Sequence, residues 1–380
     1  MIYLIANNTA LFNSDGMGDP MPDALSCEVQ EVRNGAFCAV MTYIFDGQNA
    51  DKIAVNAVLM IKPRPNANRE PFRIYEIDQT IKGVLTVRAN HLAYDLDGRI
   101  AFGMTAVGIT QAINNINTWA GSHFEIINDG ITDETTEFKI AAPVSVWATI
   151  GGSNSLLSHF GGELSYEWNQ NTKKVKVILH NARGTEKKTV IAYGVNIILI
   201  ERKRTVGGMY STVIAYWSDN ENPANTVFSS SVSTGVSTLD RWYLLDCSKQ
   251  FQTAPTSADL TAIATEYVAK NDFTTQDELS VEYIPLENTT EYEPLPVAVV
   301  GSAVAGTSVV GNARNLMQDE QLDLCDIGTV DASFVGVASK AKCVETVFDV
   351  LRDRYTKTTI GTMQNTIVDA IVNLSLEAKK

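Results

Sequence analysis

The feature that most constrains the fold is an alternation of apolar and polar residues on both sides of a short polar segment. The apolar positions are Leu164, Tyr166, Trp168, Val175, Val177 and Leu179. A period of two places such side chains on one face of a β-strand. The intervening residues 169–172 (Asn-Gln-Asn-Thr) have the composition of a tight turn. The sequence therefore predicts a β-hairpin over residues 164–179 with one buried face.

The first hundred residues show the same preference for short strands. Segments rich in β-branched and aromatic residues are separated by turn residues at 46–49 and 62–66. The predicted strands cover residues 26–31, 36–45, 53–61, 71–78 and 83–92. We interpret this region as a small β-barrel or split barrel.

One strong helical pattern follows the predicted barrel. Apolar residues recur at spacings of three and four in the set Ile109, Ala112, Ile113, Ile116 and Trp119, and Thr105 precedes them as a candidate N-cap. The sequence predicts a helix over residues 105–119. Together with the hairpin it defines a predicted α+β domain at residues 98–184.

The remaining chain is predicted to be mainly β as well. We expect a strand pair at 189–202 and 209–217, a polar loop or insertion at 219–238, and strands at 278–286 and 321–343. A helix at 258–271, capped by Ser257, has Leu260, Ile263, Ala264, Tyr267 and Val268 on its buried side. Residues 344–355 fit a short helix or strand, and residues 363–380 have helical spacing. A chain of 380 residues is long enough for several domains.

Composition describes a folded protein made in a reducing compartment. The five cysteines are scattered and form no C-x-x-C pair, which predicts free, mostly buried thiols: Cys27, Cys38, Cys247, Cys325 and Cys343. The N-terminus lacks the basic region of a signal peptide. The apolar stretch 295–306 is too short to span a bilayer. We therefore expect a soluble, intracellular product.

Charge is strongly negative overall and unevenly distributed. The net charge of −14 disfavours stable nucleic-acid binding, which needs clustered Lys and Arg. Nine basic residues lie between 173 and 204, whereas 277–293 and 319–331 carry six and five acids with no Lys or Arg. This layout suits complementary faces of a head-to-tail ring, and it also suits ordinary solvated strand faces.

The sequence contains no recognisable catalytic motif. The four histidines, His91, His123, His159 and His180, have no metal-ligand spacing, and no G-x-S-x-G is present. Cys247 and Cys325 lie in acidic or strand-like contexts that raise the pKa of a thiol. Glu163 and Glu167 are spaced to share one strand face, which is typical of a polar surface and also of paired catalytic carboxylates. We predict no catalytic, cofactor-binding or metal-binding residue.

Several segments, in order, resemble phage minor structural proteins. They are residues 71–77 (PFRIYEI), 87–96 (VRANHLAYDL), 161–164, 183–184, 190–197, 211–216, 322–326 and 355–361. The chain resembles the prophage endopeptidase tail family, the N-terminal region of tail-associated lysins, over roughly residues 20–361. This family is similar to the baseplate hub of contractile-tailed phages.

The resemblance implies a multi-domain, mainly β hub fold with α+β insertions and two small β-barrels. The first barrel is expected at residues 1–97 and the second at 185–220 plus 307–360, with an inserted α+β domain at 221–306 and a C-terminal helical tail at 361–380. The implied function is structural: a homotrimer at the virion tail tip that closes the tube, adapts its sixfold symmetry to a threefold tip, and gates DNA passage.

The resemblance also implies partners and leaves alternatives. The expected partners are the distal tail or tail-tube protein, the tape-measure protein, and fibre or receptor-binding proteins, with DNA only as transient cargo. Longer relatives often carry a C-terminal hydrolase or fibre domain, so this chain is expected to be a short member or an excised N-terminal region. The alternatives are a peptidoglycan hydrolase and a carbohydrate-binding tip module, for which Trp168, Trp217 and Trp242 are the candidate stacking residues.

Overall fold

The computed structural model divides the chain into two compact units. Unit 1 comprises residues 1–200 and 280–380, and unit 2 comprises residues 201–279. The structure describes residues 1–13, 16–80, 83–133, 136–152, 154–192, 197–205, 210–219, 225–237, 240–248, 251, 253–270, 273, 276–283, 321–332 and 337–361. Within these residues no helix is long and apolar enough to cross a membrane.

Unit 1 begins with antiparallel strands. The elements are β1 (Tyr3–Ile5), α1 (Asn8–Asn13), β2 (Asp19–Pro20), β3 (Ala24–Val32), β4 (Phe37–Ile44), a 3-10 helix (Ala50–Lys52), β5 (Val58–Ile61), β6 (Glu70–Thr80) and β7 (Val84–His91). They pair in the order β3, β4, β7, β6, β5, β1, β2. The predicted strand 53–61 begins only at Val58, because Asn49 and Asn56 adopt left-handed conformations that turn the chain before it.

The next part of unit 1 is the α+β region. Its elements are a 3-10 helix (Leu92–Gly98), β8 (Ile100–Ala101), β9 (Met104–Val107), α2 (Gly108–Ala120), β10 (Phe124–Asp129), β11 (Glu137–Ile140), β12 (Val144–Ser145), α3 (Val146–Gly151), α4 (Leu156–Phe160), β13 (Glu163–Asn169) and β14 (Lys174–His180). The predicted hairpin is confirmed, with Leu164 opposite Leu179 and Trp168 opposite Val175. β10 lies parallel to β14, a pairing that the sequence did not predict.

The predicted helix 105–119 exists but begins later. Its apolar stripe is buried as expected, including Ile109 and Ile116. Thr105, however, lies in β9 opposite Lys139 of β11 and is not the N-cap. The β9–β11 pairing keeps this segment extended, and the Gln111 side chain accepts a hydrogen bond from the Val107 N–H at 2.7 Å at the true helix start.

The chain leaves the α+β region through β15 (Glu186–Ala192) and passes along β16 (Ile197–Thr205) into unit 2. Unit 2 contains β17 (Thr212–Ser218), β18 (Thr226–Phe228), β19 (Val232–Ser233), β20 (Trp242–Asp246) and α5 (Ser257–Lys270). β17 pairs antiparallel with β18 and β19 and parallel with β20. β18 and β19 lie in the segment that was predicted to be a loop.

One face of the unit 2 sheet packs on α5. Val213 and Ala215 of β17 are fully buried with Leu260 and Ala264 of the helix, and the partly buried Tyr267 joins this cluster. The predicted buried side of the helix is therefore confirmed. Thr256, and not Ser257, caps it: Thr256 Oγ1 accepts from the Asp259 N–H at 3.2 Å, and the Asp259 carboxylate accepts from the Thr256 N–H at 3.0 Å.

The C-terminal strands join the main sheet of unit 1. They are β21 (Gln276–Tyr283), β22 (Ile327–Ala332), β23 (Val337–Asp349) and β24 (Arg354–Ile360). β22 pairs parallel with β15 and antiparallel with β23. The second half of β23 pairs with both β24 and β3, and the sheet continues from β24 to β21 and β16.

This topology corrects one predicted pairing. The segments 189–202 and 209–217 do not form a pair, because β15 joins β22 and β17 lies in the separate sheet of unit 2. Residues 344–355 were predicted to form a helix or a strand. Residues 344–349 lie in β23 and residues 354–355 in β24, so the regular part of this segment is strand. The apolar stretch 295–306, residues 307–320 and the helical prediction for 363–380 lie outside the described residues. The domain boundaries and the two closed barrels stay predictions.

Candidate functional site

A buried ionic junction in unit 1 joins segments that are far apart in the sequence. Its first centre is Glu31 at the end of β3, whose side chain is 4% exposed. Arg183 Nη2 donates to Glu31 Oε1 at 2.9 Å, and Arg64 Nη1 donates to Oε2 at 3.2 Å. Burial by itself raises the pKa of Glu31, but the charges of the two guanidinium groups outweigh burial, and the pKa lies below its ordinary value. The carboxylate is therefore held ionised.

The second centre of the junction is Glu163, the first residue of β13. Arg33 Nε and Lys342 Nζ each lie 2.7 Å from Glu163 Oε1. The backbone N–H of Arg183 donates to Oε2 at 2.6 Å. Burial by itself raises the pKa of this carboxyl. The hydrogen bonds and the nearby cations lower the pKa by more than burial raises it, so the net pKa is below its ordinary value. Glu163 thus ties β13 to the loop after β3 and to β23.

Gly184 lets the chain pass close to the loop before β22. Its φ of +80° is a left-handed conformation, and a Cβ at this position would overlap the backbone of Cys325. Beside it, the Thr185 N–H donates to Asp326 Oδ1 at 2.7 Å. The start of β15 is fixed against the segment that leads into β22.

A second buried pair lies between the first strands and the hairpin. His91 Nε2 is 3.3 Å from Glu70 Oε2, and His91 Nδ1 accepts from the Ala93 N–H at 3.3 Å. The Nδ1 atom is therefore unprotonated and Nε2 carries the hydrogen that Glu70 accepts. Burial lowers the pKa of His91 to about 3 and raises the pKa of Glu70 well above its ordinary value. The imidazole stacks on Phe37 at 4.8 Å between ring centroids.

Ser165, His180 and Asp129 form a hydrogen-bonded row across β13, β14 and β10. Ser165 Oγ lies 2.7 Å from His180 Nε2, and His180 Nδ1 lies 2.6 Å from Asp129 Oδ2. This order of atoms matches a serine nucleophile, a base and an orienting carboxylate. Ser165, however, lies in mid-strand opposite Ile178 of the ladder and is only 9% exposed. As it stands, the row ties three strands together.

Three solved structures share this architecture over almost the whole chain. Prophage tail protein gp18 from Listeria monocytogenes EGD-e is 12% identical, with 100% of this chain and 99% of that protein covered at a TM-score of 0.56. The 43 kDa tail protein of prophage MuSo2 from Shewanella oneidensis is 10% identical, with 89% and 94% covered at 0.56. The tail protein from Neisseria meningitidis MC58 is 10% identical, with 97% and 98% covered at 0.57.

The chain has a prophage tail-protein fold. No protein-family model and no curated protein sequence matches it. The predicted likeness to phage tail proteins is confirmed at the level of fold, and so is the mainly β fold class. At 10–12% identity the likeness does not by itself assign a function.

Within this tail-protein fold the candidate carboxylates Glu163 and Glu167 have separate ion-pair partners. Glu163 belongs to the ionic junction, whereas Glu167 is about half exposed and lies 3.5 Å from Lys176. All five cysteines are buried and unpaired, as predicted. Burial raises the pKa of the Cys325 thiol to about 12 and also raises the pKa of the Cys247 thiol, with Asp246 contributing. Such thiols are poor nucleophiles at neutral pH.

The histidines and tryptophans of the tail-protein fold occupy mixed environments. His123 stacks on Phe12, and His159 lies against Phe138 and Phe160. Among the described residues, no three metal-ligating side chains are arranged to hold an ion. Trp168 and Trp217 are buried, so only Trp242, at 59% exposure, presents a free face for stacking.

Sequence reasoning missed the junction and the Ser165 row. Glu31, Arg183 and Asp129 look like ordinary surface charges in the sequence, and only the strand pairing brings them to their partners. The junction also changes the interpretation of the basic segment 173–204. Arg183 is paired with Glu31, and Lys187 lies 4.0 Å from Asp326. Part of the charge segregation is therefore neutralised within one chain.

Proposed function

We propose that this chain is a structural subunit of a phage or prophage tail, located at the tail tip as a baseplate-hub protein. The observation that carries the proposal is the likeness to the Listeria tail protein, which extends over 100% of this chain and 99% of that protein. A likeness of whole chain to whole chain supports a shared architectural role better than a shared single domain, since one domain type serves many functions.

The proposed assembly is a homotrimer. Three copies, each contributing two barrel-like halves, would adapt a sixfold tail tube to a threefold tip and close its end until the host is contacted. The buried junction supports this role, because it fixes the early strands, the α+β region and the C-terminal strands of unit 1 relative to one another. A rigid subunit transmits force at its contacts without deforming internally.

The proposed partners follow from the same position in the virion. They are the distal tail or tail-tube protein, the tape-measure protein, and fibre or receptor-binding proteins. The net charge of −14 supports DNA as passing cargo, since an acidic lumen repels phosphate and limits adhesion. The protein would be made in the bacterial cytoplasm and would act in the virion without catalysis.

The first test of the proposal is the mass of the particle in solution. Light scattering behind a sizing column, over a range of protein and salt concentrations, is expected to show a trimer or a monomer–trimer equilibrium. Ring-shaped particles in electron micrographs are the expected next result. A mass of one chain at every concentration, with no ring, contradicts the trimer.

Two other functions remain as competitors of the hub. A peptidoglycan hydrolase requires a productive site, and the separate environments of Glu163 and Glu167 do not provide a carboxylate pair. A carbohydrate-binding tip module that stacks sugar rings on the three candidate tryptophans is not favoured, because among the three only Trp242 is exposed. Lysis of purified cell walls by the chain, lost in a Glu163→Gln variant that still folds, would replace the hub by the hydrolase.

A further inference from the structure

A pocket of about 560 Å3 in unit 1 is not used by the proposed structural role. It lies where β1, β5 and the loop before β6 meet the turn of the β13–β14 hairpin. Its volume falls within the roughly 300–1,000 Å3 of small-molecule sites. Small-molecule pockets usually combine apolar lining with a few polar groups; here we call the hydrophobic lining residues the apolar side of the pocket and the polar ones its polar side.

The apolar side of the pocket is formed by core residues. Ile5, Leu11 and Met60 are all less than 7% exposed, and Trp168 is 5% exposed. Met17, at 54% exposure, lies at the mouth. This side can accept a small apolar group, such as a methyl, but offers no open aromatic face for stacking.

The polar side of the pocket is rich in hydrogen-bond donors. Asn169 Oδ1 accepts from the backbone N–H groups of Asn171 and Thr172, both at 3.0 Å. Gln170 Oε1 accepts from Trp168 Nε1 at 2.9 Å. Backbone and indole N–H groups can only donate, so the oxygen positions of both amides are set by their partners. The amide NH2 groups of Asn169 and Gln170 therefore remain to serve a ligand.

Arg69 adds a cationic donor to the same rim. Its Nε donates to the Met1 carbonyl at 3.3 Å, and its guanidinium lies 4.9 Å from the centre of the Tyr3 ring. These contacts hold the side chain beside the pocket and use only part of its five N–H donors. Glu167 supplies the rim with an acceptor, and it is shared with Lys176.

We propose that this pocket binds an N-acetylated sugar, with the acetamido methyl group against the apolar side and the acetamido carbonyl accepting from the amide and guanidinium donors. Sugar hydroxyls can both donate and accept, so Glu167 can take a hydroxyl hydrogen. A peptide strand is a poorer match, because its alternating donors and acceptors need rim oxygens that Asn169 and Gln170 have already committed. The proposal stands independently of the trimer.

The experiment is a titration of the full chain with N,N′-diacetylchitobiose, followed by calorimetry or by amide NMR shifts. Cellobiose serves as a neutral disaccharide that lacks the acetamido groups. We expect binding of the acetylated sugar and at least tenfold weaker binding of cellobiose, since the amide and guanidinium donors of the pocket then lose their acetamido acceptor. Tighter binding of the acetylated tetrasaccharide would identify a glycan chain as the ligand, and equal binding would identify a free sugar.

A matched pair of variants locates the site. Gln170→Glu keeps an oxygen for the indole N–H but replaces the donor NH2 by a carboxylate oxygen, which repels the acetamido carbonyl. We expect at least tenfold weaker binding. Asn114→Asp makes the same kind of change on the exposed surface of α2, away from the pocket, and is expected to leave binding unchanged. Thermal melting of both variants checks that each one folds.

Three results overturn the proposal. These are an absence of binding of both sugars, equal binding of the two sugars, and equal affinity of wild type and Gln170→Glu for the acetylated sugar. A hexapeptide of alternating leucine and serine is titrated in parallel. If the hexapeptide binds and the sugars do not, and if Gln170→Glu weakens the binding of the peptide, the pocket is a binding site for a protein segment and not for a sugar.

Discussion

The two units of the molecule are stabilised by different kinds of contact. In unit 1, buried side-chain charges connect segments that are distant in the sequence, as in the pairing of Glu31 with Arg64 and Arg183. In unit 2, side-chain hydroxyls accept from backbone N–H groups, as in Ala215 N–H to Ser229 Oγ at 2.9 Å and Ser230 N–H to Thr261 Oγ1 at 3.0 Å.

The two kinds of contact contribute differently to the stability of the fold and to the specificity with which segments pair. Burying an ion pair removes water from both charges, so its net contribution to stability is small, whereas an alternative fold that leaves either charge unpaired is strongly disfavoured. The junction therefore selects which segments of unit 1 meet. Unit 2 gains its order from an apolar cluster between β17 and α5 together with neutral hydrogen bonds. Substitutions in the two units should consequently change the free energy of unfolding and the hydrogen exchange of each unit in different ways.

The largest effect is expected from Glu31→Gln. The change leaves Arg183, whose side chain is 14% exposed, without its charge partner, and the free energy of unfolding of unit 1 should fall by about 4 kcal/mol. Urea denaturation measures the loss, and hydrogen exchange by mass spectrometry assigns it to unit 1. Glu167→Gln, at an exposed ion pair, is the control and should change stability by less than about 0.5 kcal/mol. Equal effects of the two changes would show that the buried junction contributes no more to the stability of unit 1 than an exposed ion pair does.

Leu260→Ala tests the apolar cluster of unit 2. Leu260 is fully buried against β17, so the change should reduce the stability of unit 2 by about 3 kcal/mol through lost burial and a cavity. Hydrogen exchange is expected to rise in peptides from β17 and α5 and to stay unchanged in β3 and β4. Thr265→Ala, on the exposed side of the same helix, is the matched control. Faster exchange in β3 and β4 would show that the two units do not unfold separately.

Acidification should affect the two units differently, because all four histidines lie in unit 1. Burial lowers the pKa of His91 from 6.5 to about 3, so the unfolded chain takes up a proton below pH 6.5 that the folded chain does not. The stability due to neutral His91 is therefore complete above pH 6.5 and falls as the pH decreases toward 3. Glu70 acts in the opposite direction, because its raised pKa favours proton uptake by the folded chain.

The variant Glu70→Gln removes this opposing contribution. The stability of unit 1 should then fall more steeply than in wild type between about pH 6.5 and 5, by up to about 1.4 kcal/mol per pH unit for one proton. Urea midpoints across this range measure the slope, and hydrogen exchange in unit 2 provides the internal reference. Parallel profiles of wild type and variant would show that Glu70 does not oppose His91.

Local patterns predicted the elements well and their partners poorly. The hairpin 164–179, α5 and most early strands follow from periodicity over ten or so residues, which is visible in the sequence itself. The pairing of β23 with β3 joins residues from opposite ends of the chain. Such pairings depend on register and burial across the whole sheet, and no short segment encodes them.

Long-range strand pairing also determines the candidate sites, so short sequence patterns could not predict them. Buried charges such as Glu31 and Glu163 have the sequence appearance of solvated surface residues, and only their partners distinguish them. The alternation in β13 could have shown that Ser165 shares a face with Glu163 and Glu167. It could not have shown that His180 and Asp129 are within hydrogen-bonding distance, because the parallel pairing of β10 with β14 was not predictable from either strand.

The smallest effects are expected from one buried serine in each unit, and they give the finest comparison. In unit 1, Ser165→Ala leaves His180 and Asp129, which are 21% and 63% exposed and can turn to water, so the loss should be under about 1 kcal/mol. In unit 2, Ser229→Ala leaves the Ala215 N–H without its acceptor, and the loss should be about 1–2 kcal/mol. Urea denaturation with hydrogen exchange measures both.

A fluorophosphonate probe extends the serine comparison to chemistry. Ser165 has a base within reach but occupies a ladder position in mid-strand and is only 9% exposed, which leaves little room for an acyl group. Ser229 has no such base: its hydroxyl accepts from the Ala215 N–H and donates to the Ser230 carbonyl. We expect neither serine to be labelled in the native chain. Labelling of wild type that disappears in Ser165→Ala and persists in Ser229→Ala would show that Ser165 is a nucleophile, and it would reopen the enzymatic alternative. An activated serine reacts only where both its base and the space for its substrate are in place.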